Sequence, residues 1–487
     1  SSERAYPNTG RSPSLSCARA GAGSPAMGAK QCGGVRKEEE SYIASLTGKQ
    51  SVRRLHNPNS KQNDTGNFGP IAVAVQVALI VCLFFTDYDF VSHSVFDGTF
   101  SVTIFKGIMM MLLVGFGYLR CFLKYYGLGA VGFTFFMTAL GLQWSMLVKG
   151  WMENSTMYLS FDMTSFIGAT AAVAATVISF GALLGKISPL QVLVLTLIEV
   201  TCFHLNATLF LGSGHLVPTF SDAGGAISVQ VFGAYFGLAA SVVYGGATVW
   251  HDKENNVAVD PEQVLTTSYF SEIIASLGTT FLWISCPSLI AGSQPLGSAA
   301  QKLAIMNTLF ALLGSSVIVF AVSSIKTQRL LVAPVRNSTI AGAVAIGAVA
   351  NVRLGPGKAL LIGVLGGIVS CWANIFQYPS AKYDSSNIHG VHGMPAVFGG
   401  LISALLPLIM PQEAAFTSLD QLLGLFGTIG IGCVAGACTG GILKCFPRPE
   451  PACHDDAYWD TEHLDGWSSA TIASGAGANR YAKGEPF

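Results

Sequence analysis

The sequence predicts an all-α membrane protein with about twelve transmembrane helices. Of its 487 residues, 11% are charged and 51% are hydrophobic, and the mean hydropathy is +0.51. Soluble proteins carry about 25% charged residues. Apolar stretches long enough to cross about 30 Å of hydrocarbon recur along the chain, and they are too long and too uniformly apolar for barrel strands. We predict spans at 68–86, 103–123, 129–149, 166–184, 190–211, 226–246, 271–291, 302–323, 338–352, 358–376, 392–410 and 422–443.

The expected organisation is one transmembrane domain, residues 68–443, between a cytoplasmic N-terminal segment of low order, 1–67, and a cytoplasmic C-terminal tail, 444–487. An even number of spans places both ends on one side of the membrane. Lys and Arg near the spans are biased to that side, about 14 against about 5, and such a bias marks the cytoplasmic face. Asn154 begins an Asn-Ser-Thr glycosylation sequence on the predicted outer face.

The first 26 residues are compatible with two different membrane locations. They are rich in Ser, Arg, Ala and Gly and contain one acidic residue, Glu3, a composition typical of an organellar transit peptide. They fit equally a translated leader ahead of a start at Met27. We expect the plasma membrane in the second case, and an organellar envelope such as that of a plastid in the first.

Several function classes lack any support in the sequence. The formal net charge is zero, so no basic surface suggests nucleic acid. The eleven cysteines form no CxxC pair, and His389 and His392 lie three apart without a cluster of cysteines or carboxylates, so we expect no metal site. No phosphate loop, dinucleotide fingerprint or nucleophile elbow occurs. We therefore expect neither an enzyme nor a bound cofactor.

A weak internal repeat indicates where a transport pathway lies. Asp222 is followed eight residues later by Gln230, and Asp384 is followed eight residues later by His392; a Phe-Gly pair stands fourteen residues after each Asp. The predicted topology places the two Asp residues on opposite faces. Two similar segments in opposite orientation are typical of an inverted-repeat transporter or channel, with the pathway at the interface between the repeats.

The segment 232–238, which contains Phe236, and the segment His392-Gly393-Met394-Pro395 are the most specific motifs of the chain. The first resembles the sixth helix, and the second is similar to the second pore-histidine motif, of the Rhesus (Rh) glycoproteins, a branch of the ammonium transporter superfamily. The resemblance covers about residues 68–460. Further matches, in order, are Val114-Gly115-Phe116-Gly117, Val131-Gly132-Phe133, Gly141-Leu142-Gln143-Trp144, 181–186, Phe281-Leu282-Trp283, 337–342 and Asp455-Asp456-Ala457-Tyr458-Trp459.

The resemblance implies an inverted-repeat ammonium-transporter-like fold and a homotrimer with one pore in each subunit. It also implies that ammonium is drawn to an outer vestibule and loses its proton there, after which neutral ammonia crosses an apolar pore lined by two hydrogen-bonded histidines. A charge is costly to move through hydrocarbon, whereas a small neutral amine needs only hydrogen-bonding groups on its path. Each imidazole offers one donor and one acceptor.

The pore residues depart from this family pattern in one position. Asp222 and Asp384 match the vestibule carboxylates, and both also stand where an Asp caps the first turn of a helix. His392 matches the second pore histidine, whereas Gln230 occupies the position of the first. A polar residue in a membrane helix also serves helix packing, so this alternative stays open for Gln230 and His392.

The two gate positions above the pore also differ from the family pattern. Ala171 and Leu289 align with the two stacked gate phenylalanines of the family, and Phe166, a little more than one turn before Ala171, is a candidate replacement. Phe236 and Trp283 lie in matching motifs, and we assign both to the pore region.

Two functions remain open. The first is an Rh-type channel for a small neutral gas, ammonia from ammonium or carbon dioxide, with electroneutral passage. The second is a non-conducting Rh-like protein with a structural or scaffold role in the bilayer. The feature that separates them is whether Gln230 and His392 together still offer hydrogen bonds inside the pore.

Overall fold

The computed structural model describes residues 67–88, 95–153, 159–210, 216–245, 250–252, 257–259, 266–376, 382–449 and 452–459. These ranges contain a bundle of twelve apolar helices: α1 Phe68–Leu83, α2 Phe100–Phe122, α3 Gly127–Glu153, α4 Met163–Leu183, α5 Pro189–Phe210, α6 Ala226–Tyr244, α7 Tyr269–Gly292, α8 Ala299–Ile325, α9 Val332–Val349, α10 Pro356–Ile375, α11 His389–Ile409 and α12 Ser418–Leu443. Asn154 and the segments 1–66 and 460–487 lie outside the described residues.

The helix count confirms the predicted fold class. Eleven of the helices are long and apolar enough to cross a membrane, and α1 is a shorter apolar helix of 16 residues. Strand structure in the described ranges is limited to short pairs: Thr86–Tyr88 runs parallel to Leu159–Phe161, and Trp250–Asp252 is antiparallel to Val257–Val259. The strands of both pairs lie in segments between helices and do not form a separate sheet layer.

The largest difference from the predicted spans occurs at α9, which begins at Val332 rather than at residue 338. Its second turn contains Arg336 and Asn337, whose polarity ended the apolar stretch in the sequence. The structure satisfies both side chains inside the bundle: Arg336 pairs with Glu272 at 2.5 Å, and the amide of Asn337 donates to Asn374 at 2.9 Å. Buried polar groups with partners of this kind are tolerated in a membrane helix.

Three spans contain a π-helical turn. These turns are Met111–Phe116 within α2, Ala226–Val231 at the start of α6 and His389–Gly393 at the start of α11. A π-helical turn fits one extra residue into the helix, and such turns are common at functional sites. The turns in α6 and α11 contain Gln230 and His392, the residues singled out by the repeat.

Main-chain hydrogen bonds are similar in the two halves of the protein, the half with the Asp222 segment and the half with the Asp384 segment. The N–H of Gly224, two residues after Asp222, donates to the carbonyl of Gly347 at 2.7 Å. The N–H of Ser386, two residues after Asp384, donates to the carbonyl of Gly181 at 3.2 Å. The segment before α6 is thus attached to the end of α9, and the segment before α11 to the end of α4.

Small residues let α6 pack closely against α12. A Cβ added at Gly436 would overlap the main-chain carbonyl of Phe236, and one added at Gly440 would overlap that of Ala240. Gly432, one turn earlier, faces the carbonyl of Phe232. Glycines at such spacing are typical of tight helix pairs in membranes, where the backbones themselves make the contact.

The C-terminal tail is attached to the bundle through the start of α3. The carboxylate of Asp455 accepts hydrogen bonds from the N–H groups of Leu128, at 2.8 Å, and Gly129, at 2.6 Å. The indole of Trp459 lies over Gly132 and 5.8 Å from the ring of Phe133. The tail therefore supplies the N-terminal cap of a helix more than 300 residues earlier in the chain.

We expect Gly436→Ala to lower the stability of the protein, because its methyl group would push α12 away from the backbone of α6. Overpacking of this kind costs about 1–3 kcal/mol. Gly430→Ala is the matched control, since Gly430 lies on the same helix with nothing within 4 Å of an added Cβ. Thermal unfolding in detergent, followed by size-exclusion chromatography, should show a lower midpoint for Gly436→Ala only. Equal midpoints for the two variants would contradict the close contact.

Candidate permeation site

The centre of the site is a buried hydrogen bond between the two halves of the protein. Nδ1 of His392 lies 2.7 Å from Oε1 of Gln230, and the residues are 4% and 7% exposed. An amide oxygen only accepts, so Nδ1 carries the proton in this arrangement and Nε2 is left as an acceptor. The pair therefore offers an N–H donor from the Gln230 amide and a lone pair from the His392 ring.

The carboxylates at the start of the two pore helices hold these turns in place. Asp222 accepts from the N–H groups of Ile227, at 3.0 Å, and Ser228, at 2.7 Å. Asp384 accepts from Ile388, at 2.8 Å, and His389, at 2.9 Å. Burial raises the pKa of both carboxyl groups, and these N–H groups oppose the rise. Both residues thus act as helix caps; Asp222 is half-buried, and Asp384 is 2% exposed.

The residues at the aligned gate positions are small or aliphatic. Ala171 on α4 is half-buried and Leu289 on α7 is 9% exposed, and both pack in the same apolar cluster. Phe166 lies edge-on against Phe105, with 6.0 Å between the ring centroids. The structure therefore places one aromatic pair near Ala171, formed between α2 and α4 rather than at the two aligned positions.

Of the residues assigned to the pore region, Phe236 packs against a ring of its own helix and Trp283 contacts a neighbouring helix. Phe236 is fully buried, with its ring 5.7 Å from that of Phe232. The indole N–H of Trp283 donates to the hydroxyl of Ser316 on α8 at 3.0 Å. Among the described contacts, neither side chain meets Gln230 or His392.

A small cavity of about 20 Å³ lies beside His392, at the end of the pore where Asp384 is found. Its volume suits one water-sized molecule. The lining includes Phe116, whose ring centroid lies 5.7 Å from that of His392, and Arg120. No sequence motif singles out Arg120, although it lies inside the predicted span 103–123, where a charged residue is itself a signal of function.

The described residues include no group of three or more His, Cys, Asp or Glu side chains that could hold a metal ion.

Comparisons with known proteins agree with this architecture. The model of the Ammonium Transporter Family matches residues 78–448. The ammonium transporter Rh type B of Sus scrofa is 35% identical over 395 residues, covering 74% of this chain and 83% of the relative. The ammonium transporter Rh type C of Oncorhynchus mykiss is 34% identical over 399 residues, covering 75% of this chain and 78% of the relative.

Solved structures show the same fold. Rh50 of Nitrosomonas europaea, a member of the Rhesus protein family of channels, superposes with a TM-score of 0.67 at 28% identity, covering 80% of this chain and 99% of that chain. A sensor Amt protein superposes with a TM-score of 0.60 at 20% identity, covering 72% of this chain and 93% of that chain. Fold, pore-helix geometry and sequence thus agree, and the chain belongs to the Rh branch of the ammonium transporter family of multi-pass membrane proteins, which are transporters and channels rather than enzymes.

Proposed function

We propose that the protein conducts a small neutral gas, ammonia derived from ammonium, with carbon dioxide as a second permeant. The observation that supports this most is the buried 2.7 Å contact between His392 and Gln230. Although one family histidine is absent, the pair still offers a donor and an acceptor within an apolar surrounding. A small polar molecule that enters such a passage exchanges hydrogen bonds with water for hydrogen bonds with the pair.

The same pair favours electroneutral passage. A proton can be transferred between two imidazole rings, but an amide neither gains nor loses a proton near neutral pH. Proton transfer along the pair therefore stops at Gln230, and a permeant crosses without a charge. Ammonium would have to cross as an ion, which the apolar walls around the pair make costly.

The two gases would use the pair differently. Ammonia can accept from the Gln230 amide and donate to the free ring nitrogen of His392. Carbon dioxide has acceptor atoms only and would use the amide alone. Ala171 and Leu289 leave an apolar wall at the aligned gate positions, which suits an apolar gas as well as ammonia.

We also propose the plasma membrane as the location, with both chain ends in the cytoplasm. The bias of Lys and Arg described above supports this orientation of the chain ends. A transit-peptide role of residues 1–26 would instead direct the protein to an organellar envelope.

Purified protein in liposomes should accelerate the pH change that follows rapid mixing with an ammonium salt, measured by stopped-flow fluorescence. The ammonia flux should be proportional to the concentration of neutral ammonia over about pH 6 to 8, because no proton exchange inside the pore contributes. A parallel experiment with carbon dioxide tests the second gas. Voltage-dependent ammonium currents from the unmodified protein would contradict electroneutral passage. Absence of flux for both gases would favour the scaffold alternative.

Substitutions at the pair should change ammonia flux in opposite directions. His392→Ala removes one hydrogen-bonding partner and leaves the other unsatisfied, so we expect a loss of at least about fivefold. Gln230→His restores two rings and should raise the flux or introduce a current. Gln76→His is the matched control, since Gln76 is exposed on α1. If both pore variants behave like the control, the pair does not contact the permeant.

The protein should assemble as a homotrimer with a separate pore in each subunit. This follows the family resemblance and fits the many apolar side chains exposed on the helices of one chain. Native mass spectrometry in mild detergent should give the mass of three chains of 51.1 kDa each. A monomer as the main species under conditions that keep the protein folded would contradict this assembly.

A further inference from the structure

Arg120 is a buried cation without a counter-ion. Its side chain lies at the end of α2, the residue is 3% exposed, and one guanidinium nitrogen donates to the main-chain carbonyl of Val177 on α4. The other terminal nitrogen, Nη1, is buried without a hydrogen-bond partner. Within the described ranges no acidic side chain lies at ion-pair distance from it. An arginine remains protonated in proteins, so this charge is permanent.

Arg336 shows how the same bundle holds a buried arginine whose role is structural. Arg336 is 6% exposed, and its guanidinium pairs with Glu272 at 2.5 Å. Burial of a charge costs several kcal/mol unless a partner compensates for it. Arg120 has no acidic partner of this kind; its guanidinium meets the rings of Phe116 and Phe180 and one main-chain carbonyl. An intramembrane charge retained without an acidic partner points to a function.

The position of Arg120 connects its charge with the permeation site. The guanidinium of Arg120 lies over the ring of Phe116, and its Cζ atom is 5.4 Å from the centroid of that ring. That ring in turn lies 5.7 Å from the ring of His392. Arg120, Phe116 and His392 all line the cavity of about 20 Å³, together with Ser386, whose hydroxyl is also buried without a partner.

The chemistry of the cavity separates ammonia from ammonium. Ammonia has a lone pair and can accept an N–H from Nη1 of Arg120. Ammonium has four N–H donors, no lone pair and a positive charge, so it finds repulsion where ammonia finds a hydrogen bond. The repulsion between two unit charges a few ångströms apart is large in a partly desolvated site.

On the basis of the proposed function, we propose that Arg120 is a charge-selecting residue of this pore: in the cavity beside His392 it donates a hydrogen bond to a neutral acceptor such as ammonia and repels ammonium. It acts on the permeant, in series with the Gln230–His392 pair. The pair prevents proton transfer along the pore, whereas Arg120 prevents entry of the intact cation.

A comparison of five proteins in liposomes tests this role: the unmodified protein, Arg120→Lys, Arg120→Met, Arg120→Gln and the control Lys302→Met, which removes an exposed lysine from α8. Ammonia flux is measured by stopped-flow fluorescence, and ammonium-driven current on a solid-supported membrane. We expect no current from the unmodified protein, Arg120→Lys or Lys302→Met. Arg120→Met should give an ammonium current at least about tenfold above that of empty liposomes. Arg120→Gln, which keeps N–H donors without the charge, should also pass current.

The outcomes separate this inference from the proposed function. Ammonia flux without current in every variant leaves the function intact and overturns the role of Arg120. A current in Arg120→Lys equal to that in Arg120→Met also overturns it, because the charge would then be irrelevant. If the unmodified protein passes no ammonia, the proposed function fails, and a current gained only by the neutral variants still supports selection by charge. A merely structural Arg120 predicts a lower unfolding temperature for Arg120→Met and no current.

Discussion

Satisfaction of main-chain N–H groups inside the membrane is the constraint on which the site depends. A helix that starts inside an apolar bundle leaves its first N–H groups without partners, because its surroundings offer none. Here the first turns of α6 and α11 are largely buried, and Asp222 and Asp384 accept from their N–H groups. The carboxylates thereby stabilise the π-helical turns, and these turns bring Gln230 and His392 within hydrogen-bonding distance. The polar pair is thus a consequence of how two helix ends are capped.

In the proposed mechanism, the hydrogen-bonded Gln230–His392 pair and the buried charge of Arg120 divide the selection of the permeant between them. The Gln230–His392 contact supplies hydrogen bonds without a continuous path for protons. Arg120 adds a positive field at the cavity beside it. Both are compatible with a neutral molecule and unfavourable to a cation, although they act by different physical means. Loss of a family histidine need not therefore imply loss of conduction, because the remaining groups still match a neutral gas.

Hydropathy predicted the helices well because the bilayer imposes one length and one polarity on every span. It failed at the start of α9, where Arg336 and Asn337 find partners on other helices that a local pattern cannot show. The repeat anticipated that Gln230 and His392 belong together, since both stand eight residues after an Asp. The hydrogen bonds from Gly224 and Ser386 involve only the main chain and leave no side-chain signal. Trp283 and Phe236 lie in family motifs, but a motif match alone does not distinguish a pore wall from a helix contact.

The cap that Asp455 provides for α3 has a consequence for biosynthesis. The first N–H groups of α3 gain this partner only after more than 300 further residues have been synthesised and nine more helices inserted. Until then the start of α3 depends on water or on transient partners at the membrane surface. A ribosome that stops before Asp455 would leave a bundle complete in its spans but without this cap, so attachment of the tail is a late step in the assembly of the bundle.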